Sequence, residues 1–155
     1  MSAPRLLFVC LGNICRSPLV EAVARQRCAE AGLAVEVASC GTGDWHVGHG
    51  ADPRMVRAAA AAGYDLMPHR ARQLQAADLD GYDLVLAMDR DNLRGIASHV
   101  SPRSRAETGL FLAWTGAAPP EDFPDPYHGA FDGFTASVAL AEQGVAGLIR
   151  RLRQR

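Results

Sequence analysis

The segment Val9-Cys10-Leu11-Gly12-Asn13-Ile14-Cys15-Arg16-Ser17-Pro18 contains the features that decide the fold. An apolar run precedes it, and an alanine-rich stretch with helical periodicity follows it, with Pro18 suited to the first helical position. A strand, a tight turn and a helix N-terminus in this order bring backbone N–H groups together at the positive end of a helix dipole. The segment therefore predicts an anion-binding loop, residues 10–16, here called the anion loop.

The size and charge of the chain set broad limits. Its 155 residues favour a single domain, residues 1–155, with a substantial core. Sixteen basic and 17 acidic residues leave a net charge of −1, so we expect neither a nucleic-acid partner nor a membrane-surface partner. No apolar run approaches the roughly 20 residues that span a bilayer, and the N-terminal residues lack the apolar core of a signal peptide. We therefore expect a cytoplasmic location.

Hydrophobic patterns predict strands that alternate with helices. Helices are expected from about Ser17 to Ala31, from Asp52–Pro53 to Gly63, after Asp89, and along the apolar series that starts at Phe134. Strands are expected at Arg5–Cys10, Val35–Ser39, Asp83–Met88 and Thr108–Leu112. This alternation predicts an α/β fold, a three-layer sandwich whose central four-stranded parallel sheet has helices on both faces.

Three polar residues stand at predicted strand ends. Ligands of such sheets bind outside the carboxyl ends of the strands, where Cys10, Ser39 and Asp89 fall. The alternation is interrupted only by residues 113–133, which hold four prolines and no periodic pattern. Because loops of this length in compact domains are often functional, we expect this one to contribute to the same site.

The anion loop and the proline-rich loop supply complementary chemistry. Cys10 needs to ionise to act as a nucleophile, and a helix N-terminus together with Arg16 favours the thiolate. Arg16 also offers a planar fork that grips two oxygens of a phosphate. Ser17 is expected to cap the helix, to donate a hydrogen bond to the thiolate, or to do each in a different state. A phosphoryl group held here needs a proton donor for its leaving oxygen, and the proline-flanked Asp125 suits this role better than Asp122.

The remaining cysteines and histidines give no metal signal. Cys10, Cys15, Cys28 and Cys40 lack zinc-site spacing, and Cys28 falls in a helical pattern that predicts a core position. His46 and His49 are three residues apart, with no evident third ligand. We therefore expect no metal and no cofactor.

These features resemble the low-molecular-weight protein tyrosine phosphatases over essentially the whole chain. The resemblance is carried by residues 10–17 and by Asp125-Pro126-Tyr127. It implies that Cys10 attacks phosphorus to form a cysteinyl-phosphate, that Asp125 protonates the departing phenolate, and that Ser17 assists the thiolate as a leaving group. It also implies that the phosphoryl oxygens are held by Arg16 and by the loop residues Leu11, Gly12, Asn13, Ile14 and Cys15.

The resemblance extends to residues around the loop. Asn13, Ser39 and His69 match positions that hold the loop in its strained shape, and Asp89 matches a carboxylate that either orients Arg16 or caps a helix. The mouth of the cleft is matched by Trp45, Tyr127 and His128. His128 stands where the family often has a second aromatic residue, which leaves the binding preference open.

The implied partners are phosphotyrosine proteins, a tyrosine kinase among the candidates, and inorganic phosphate as product or inhibitor. The expected state is a monomer or a weak dimer. Three alternatives compete with this reading. Arsenate reductases of this fold need relay cysteines, and none follows Cys40. Phosphoarginine phosphatases typically carry threonine where Ile14 stands, and a non-catalytic phosphate-binding module would be free to lose Cys10, Arg16 or Asp125.

The position of Cys15, five residues from Cys10, suggests redox protection. Mild oxidation of Cys10 followed by disulfide formation with Cys15 would shield the nucleophile from irreversible oxidation. The sequence therefore predicts reversible inactivation by peroxide.

Overall fold

Four parallel strands form the central sheet of the computed structural model, which describes residues 3–117 and 121–155. The strands lie in the order β2-β1-β3-β4, and their bounds are β1 Arg5–Cys10, β2 Glu36–Gly41, β3 Leu84–Ala87 and β4 Glu107–Leu110. The central strands β1 and β3 are buried on both faces, as their continuous apolar runs predicted. Because all four strands run in one direction, their carboxyl ends meet at one edge.

Helices cover both faces of the sheet. Within the described residues they are α1 Arg16–Glu30, α2 Pro53–Ala61, α3 Asp78–Gly81, α4 Arg90–Ala97, α5 Phe111–Trp114 and α6 Phe131–Arg153. One core contains the residues of β1 that face α1, α2, α5 and α6, including Leu6 and Phe8. The other contains Leu7 and Val9, which pack with residues of α3 and α4 such as Leu79 and Ile96. The predicted three-layer α/β sandwich is confirmed.

The helix starts follow local sequence signals. The Asp52 side chain accepts a hydrogen bond from the backbone N–H of Arg54 at 2.8 Å, and Pro53 occupies the first turn of α2. Asp89 caps α4 in the same way, accepting from the N–H of Asn92 at 2.8 Å. The Asp89 cap starts α4 directly after β3, close to the carboxyl edge of the sheet.

The proline-rich loop is shorter than the sequence predicted. Its first residues belong to α5, because Phe111, Leu112 and Trp114 bury their side chains in the core, and its last residues belong to α6, which begins at Phe131. Residues 118–120 of the predicted loop lie outside the described residues. Among the residues that are described, no helix is long and apolar enough to cross a bilayer.

Candidate active site

The shape of the anion loop depends on Asn13. This residue adopts a left-handed conformation with φ of 56°, which asparagine tolerates better than most residues. Its side chain is buried and accepts a hydrogen bond from the backbone N–H of Arg72 at 3.0 Å. Its own carbonyl accepts a hydrogen bond from Nε2 of His69 at 2.6 Å. The segment that contains His69 and Arg72 therefore fastens the loop from outside.

The polarity of one hydrogen-bond chain is fixed by Glu21, a residue that the sequence analysis did not single out. The Glu21 carboxylate only accepts, so the Ser39 hydroxyl donates to it at 2.6 Å. The amide of Asn13 donates to Ser39 Oγ at 3.0 Å and to Ser17 Oγ at 2.9 Å. The Ser17 proton is then free to point at Cys10 Sγ, 2.9 Å away. The chain thus favours a donor facing the sulfur.

Cys10 lies at the end of β1, on the floor of a cleft, with 3% of its surface exposed. Its sulfur also accepts a hydrogen bond from the backbone N–H of Asn13 at 3.3 Å. The backbone N–H groups of Gly12, Ile14 and Cys15 donate no hydrogen bond within the described part of the chain. Unfilled donors beside the start of α1 suit an anionic ligand.

Ser17 does not cap α1, so that part of the sequence prediction is wrong. The helix begins at Arg16, its N-cap residue is Cys15, and no side chain caps it. Ser17 lies inside the first turn, where the fold directs its hydroxyl toward Cys10 Sγ and, at 3.4 Å, toward the carbonyl of Cys40. The structure therefore supports the thiolate-facing alternative.

The Arg16 side chain is almost completely buried, with 4% of its surface exposed. One terminal nitrogen donates to Asp89 Oδ2 at 2.7 Å and to the carbonyl of Phe123 at 3.0 Å, and the other lies 3.7 Å from Asp125 Oδ2. Burial acts to lower the pKa of Arg16, but Cys10, Asp89 and Asp125 outweigh it, so the pKa is raised. The guanidinium therefore stays charged. Asp89 performs both roles left open by the sequence, since it holds Arg16 and caps α4.

The two acidic candidates of the proline-rich loop lie in different surroundings. Asp125 lines the cleft with Cys10 and Arg16, and 45% of its side chain is exposed. Asp122 instead pairs with Arg90, at 3.2 Å, and does not line this cleft. The fold thus brings Asp125, and not Asp122, to the cysteine.

The cleft over the anion loop encloses about 190 Å³. Trp45, Tyr127 and His128, the predicted mouth residues, all line it, and Trp45 is 67% exposed. The full lining consists of Cys10, Leu11, Gly12, Ile14, Cys15, Arg16, Trp45, His46, Asp125, Tyr127 and His128. Aromatic walls above a buried arginine and cysteine form a slot for a planar group that ends in an anion.

Gly12 has a packing role that its sequence position does not reveal. A Cβ atom at Gly12 would lie 3.0 Å from Cδ2 of His46, so the imidazole packs directly over the loop. His49 lies farther along the same segment, with the two ring centroids 6.0 Å apart. No group of three metal-ligating side chains occurs among residues 3–117 and 121–155.

The other cysteines are buried thiols. Burial, followed by the negative charge of Asp52, raises the pKa of Cys15. Burial likewise raises the pKa of Cys28, which is fully buried in the core as predicted, and of Cys40 in β2. These thiols remain protonated at neutral pH.

Among the groups that support the site, the sequence identified His69 but missed Glu21 and the carbonyl of Phe123. Burial lowers the pKa of His69, which is consistent with a neutral ring that donates from Nε2 to the Asn13 carbonyl. Glu21 follows Ser17 by four residues on α1, and this spacing, which places the two on one helix face, is the signal that could have identified it. The carbonyl of Phe123, which binds Arg16, carries no residue-type signal.

Comparison with known proteins identifies relatives along the whole chain. The chain is 43% identical to the low molecular weight protein-tyrosine-phosphatase of Streptomyces coelicolor, over 97% of this chain and 94% of the relative. It is 44% identical to the low molecular weight phosphotyrosine protein phosphatase of Schizosaccharomyces pombe, over 84% and 85% of the two chains. The crystal structure of a protein tyrosine phosphatase from Entamoeba histolytica superposes with a TM-score of 0.92 at 30% identity, covering 98% of both chains.

The family model described as low molecular weight phosphotyrosine protein phosphatase matches residues 5–155. This range includes both the anion loop and the loop that carries Asp125. The match and the relatives confirm the resemblance and the enzyme class, a hydrolase of the protein-tyrosine-phosphatase type. The chain belongs to the low molecular weight phosphotyrosine protein phosphatase family.

Proposed function

We propose that the chain hydrolyses phosphotyrosine, and aryl phosphate monoesters generally, in two steps with Cys10 as the nucleophile. The observation that carries this proposal is the meeting of Cys10, Arg16 and Asp125 in one cleft beside unfilled backbone donors. A nucleophile, a fixed cation and a carboxyl group are the parts that phosphoryl transfer through a covalent intermediate requires.

In the first step the phosphoryl group sits in the anion loop. Asp89 and the Phe123 carbonyl hold one terminal nitrogen of Arg16, which leaves its other donors for the phosphoryl oxygens. The Cys10 thiolate attacks phosphorus, a P–S bond forms, and the bond to the phenolic oxygen breaks. Asp125, protonated at this stage, delivers its proton to the departing oxygen.

In the second step water replaces the thiolate. Asp125, now ionised, accepts a proton from the attacking water, inorganic phosphate forms, and the P–S bond breaks. The Ser17 hydroxyl, 2.9 Å from the sulfur, donates to the departing thiolate. The polarity set by Glu21 and Asn13 keeps this donor oriented through both steps.

The cleft walls support an aromatic substrate. Tyr127 and Trp45 provide apolar faces around the slot, and Ile14 adds an aliphatic contact in place of a hydrogen-bonding side chain. A phenyl ring would fill these walls and bring its phosphate to the loop, whereas the shorter phosphoserine would leave them empty. A phosphoarginine substrate would place a polar guanidino group against Ile14.

Cys10→Ser tests the nucleophile. We expect this variant to lose turnover of phenyl phosphate and still bind vanadate, because the loop donors and Arg16 remain. A comparison of phosphotyrosine, phosphoserine and phosphoarginine peptides on the wild-type enzyme tests the substrate class. Retained turnover by Cys10→Ser would contradict the mechanism, and faster cleavage of phosphoarginine would contradict the substrate class.

We also propose that residues 1–155 form one catalytic domain that acts in the cytoplasm as a monomer or weak dimer on phosphotyrosine proteins, tyrosine kinases among them. The family membership supports phosphoprotein substrates. The four cysteines, all free thiols, are consistent with a reducing compartment. Sedimentation of the purified chain over a concentration series would test the oligomeric state.

A further inference from the structure

Arginine and aromatic side chains alternate along one side of the cleft. The Arg54 guanidinium lies 5.2 Å from the ring centroid of Tyr127, which lines the cleft, and 4.5 Å from that of Phe134. One turn farther along α2, the Arg57 guanidinium lies 5.0 Å from the ring centroid of Phe131. We call this row the α2 strip. It leads away from the cleft wall across the surface between α2 and the start of α6.

Within the described part of the chain, only one of the two arginines of the strip is paired with a carboxylate. Arg54 pairs with the buried carboxylate of Asp52 through two contacts, Nε at 3.1 Å and a terminal nitrogen at 2.8 Å. The Arg54 hydrogen bond lowers the pKa of Asp52, so this pair is neutral overall near pH 7. Arg57 is exposed and forms no ion pair with the described residues. The free positive charge of the strip is therefore at Arg57.

Asp132, the acidic residue in the first turn of α6, forms no ion pair with Arg57. Asp132 follows Phe131 but lines a different groove, together with Pro126, Gly129 and Gly133. The face of α6 that meets α2 carries Phe131 and Phe134 instead. Phe134 is fully buried, so a ligand that crosses the strip meets the exposed rings of Tyr127 and Phe131 and one cation without an ion-pair partner among the described residues.

The length of the strip matches a short peptide segment. Arg54 is 5.2 Å from the Tyr127 ring, and residues three apart on a helix are separated by about 5–6 Å at Cβ. Arg57 therefore lies on the order of 10 Å from the Tyr127 wall, which an extended chain covers in about three residues. A residue near the third position from a phosphotyrosine bound in the cleft would reach Arg57.

We propose that the α2 strip is a docking surface for acidic phosphotyrosine segments, and that Arg57 determines the preference for a carboxylate about three residues from the phosphotyrosine. The proposal rests on the proposed function, because it requires a phosphotyrosine in the cleft. The exposed rings of Tyr127 and Phe131 supply contact area for the intervening residues, and the exposed guanidinium of Arg57 supplies the charge that the carboxylate meets.

The experiment uses pairs of phosphotyrosine peptides. The two peptides of a pair are identical except that one has glutamate and the other has glutamine at a position near the third residue before or after the phosphotyrosine. The measured quantity is the ratio of kcat/KM for the two peptides, so that any change in basal turnover cancels. Wild-type enzyme, Arg57→Gln and Arg57→Glu are compared. Arg103→Gln is the matched control, because Arg103 is an exposed arginine whose side chain makes no ion pair within the described residues and lies after α4, away from the strip.

We expect the wild type and Arg103→Gln to prefer the glutamate peptide about two- to fivefold, the range of one exposed ion pair. Arg57→Gln should bring the ratio close to one, and Arg57→Glu should bring it below one. Added salt should reduce the wild-type preference. The proposal is overturned if wild type shows no preference, or if Arg57→Gln and Arg103→Gln change the ratio equally. Failure of the wild type to cleave phenyl phosphate would instead refute the proposed function.

Discussion

Replacement of Asn13 should destabilise the protein more than a typical buried substitution. The side chain is 1% exposed and makes three hydrogen bonds, to Ser17 Oγ at 2.9 Å, to Ser39 Oγ at 3.0 Å and from the Arg72 N–H at 3.0 Å. At a net value of about 1 kcal/mol each, Asn13→Ala loses about 3 kcal/mol. The left-handed backbone, with φ of 56°, adds about 1 kcal/mol for alanine. We therefore expect a loss of about 4 kcal/mol.

A glycine variant separates the two contributions. Asn13→Gly loses the same three hydrogen bonds but adopts a positive φ without strain, at the cost of a more flexible unfolded chain. We expect it to retain about 0.5–1 kcal/mol more stability than Asn13→Ala. Ser137→Ala is the control, because Ser137 is also buried and polar but only donates to Gly133 within α6.

Urea unfolding followed by tryptophan fluorescence measures these differences, with kcat/KM for phenyl phosphate measured in parallel. A loss of about 4 kcal/mol corresponds to roughly 10 °C in Tm for a chain of this size. Displacement of the loop by about 1 Å would lower kcat/KM about 100-fold. A loss below about 1 kcal/mol in Asn13→Ala would refute the role of the three bonds. An alanine variant more stable than the glycine variant would refute the strain argument.

Three further predictions concern other residues of the site. Asp125→Asn should slow turnover by 10²- to 10⁴-fold for poor leaving groups such as phenol and much less for good ones, whereas an equal loss for all leaving groups would indicate a structural effect. Peroxide-treated enzyme should recover activity with a thiol reductant, because the sulfenic acid of Cys10 forms a disulfide with Cys15 and releases water. Cys15→Ser should not recover, because further peroxide then oxidises the sulfenic acid to a sulfinic acid that a thiol does not reduce; equal recovery would exclude that disulfide. Burial lowers the pKa of His69, so protonation of this ring favours the unfolded chain. The contribution of His69 to stability should be full above about pH 6.5 and fall at lower pH. His69→Gln should flatten this pH dependence, as measured by urea titrations at pH 5–7.

The fold could be predicted from the sequence because its signals are local. Continuous apolar runs identified β1 and β3, and Asp52–Pro53 identified the start of α2. The errors were also local in origin: α5 is a single apolar turn too short to show periodicity. It occupies residues 111–112, which were assigned to a strand, and residues 113–114, which were assigned to the loop. Strand order and the distribution of helices over two faces depend on packing between distant segments.

The site was predictable to the extent that residue type identifies chemistry. The reactive or charged groups of Cys10, Arg16 and Asp125 stand at a strand end, a helix start and a proline-flanked loop position, which indicated their roles. The fold brings the three residues to one cleft. The carbonyl of Phe123 acts through its backbone, and any residue type could supply it. Glu21 contacts Ser39 across the interface of α1 and β2, so its role depends on tertiary packing. The sequence spacing from Ser17 shows only the face of α1 on which Glu21 lies.

The anion loop is costly for the fold, and the surrounding contacts offset that cost. Arg16 starts a helix, where a cation opposes the dipole, and Asn13 holds a positive φ. Both residues are anchored by groups outside the loop, Arg16 by Asp89 and Asn13 by Ser39 and the Arg72 backbone. Those anchors leave the remaining donors of Arg16 and the loop amides to a phosphoryl group. The strain therefore serves the reaction, because the donors are oriented before the charge that they stabilise arrives.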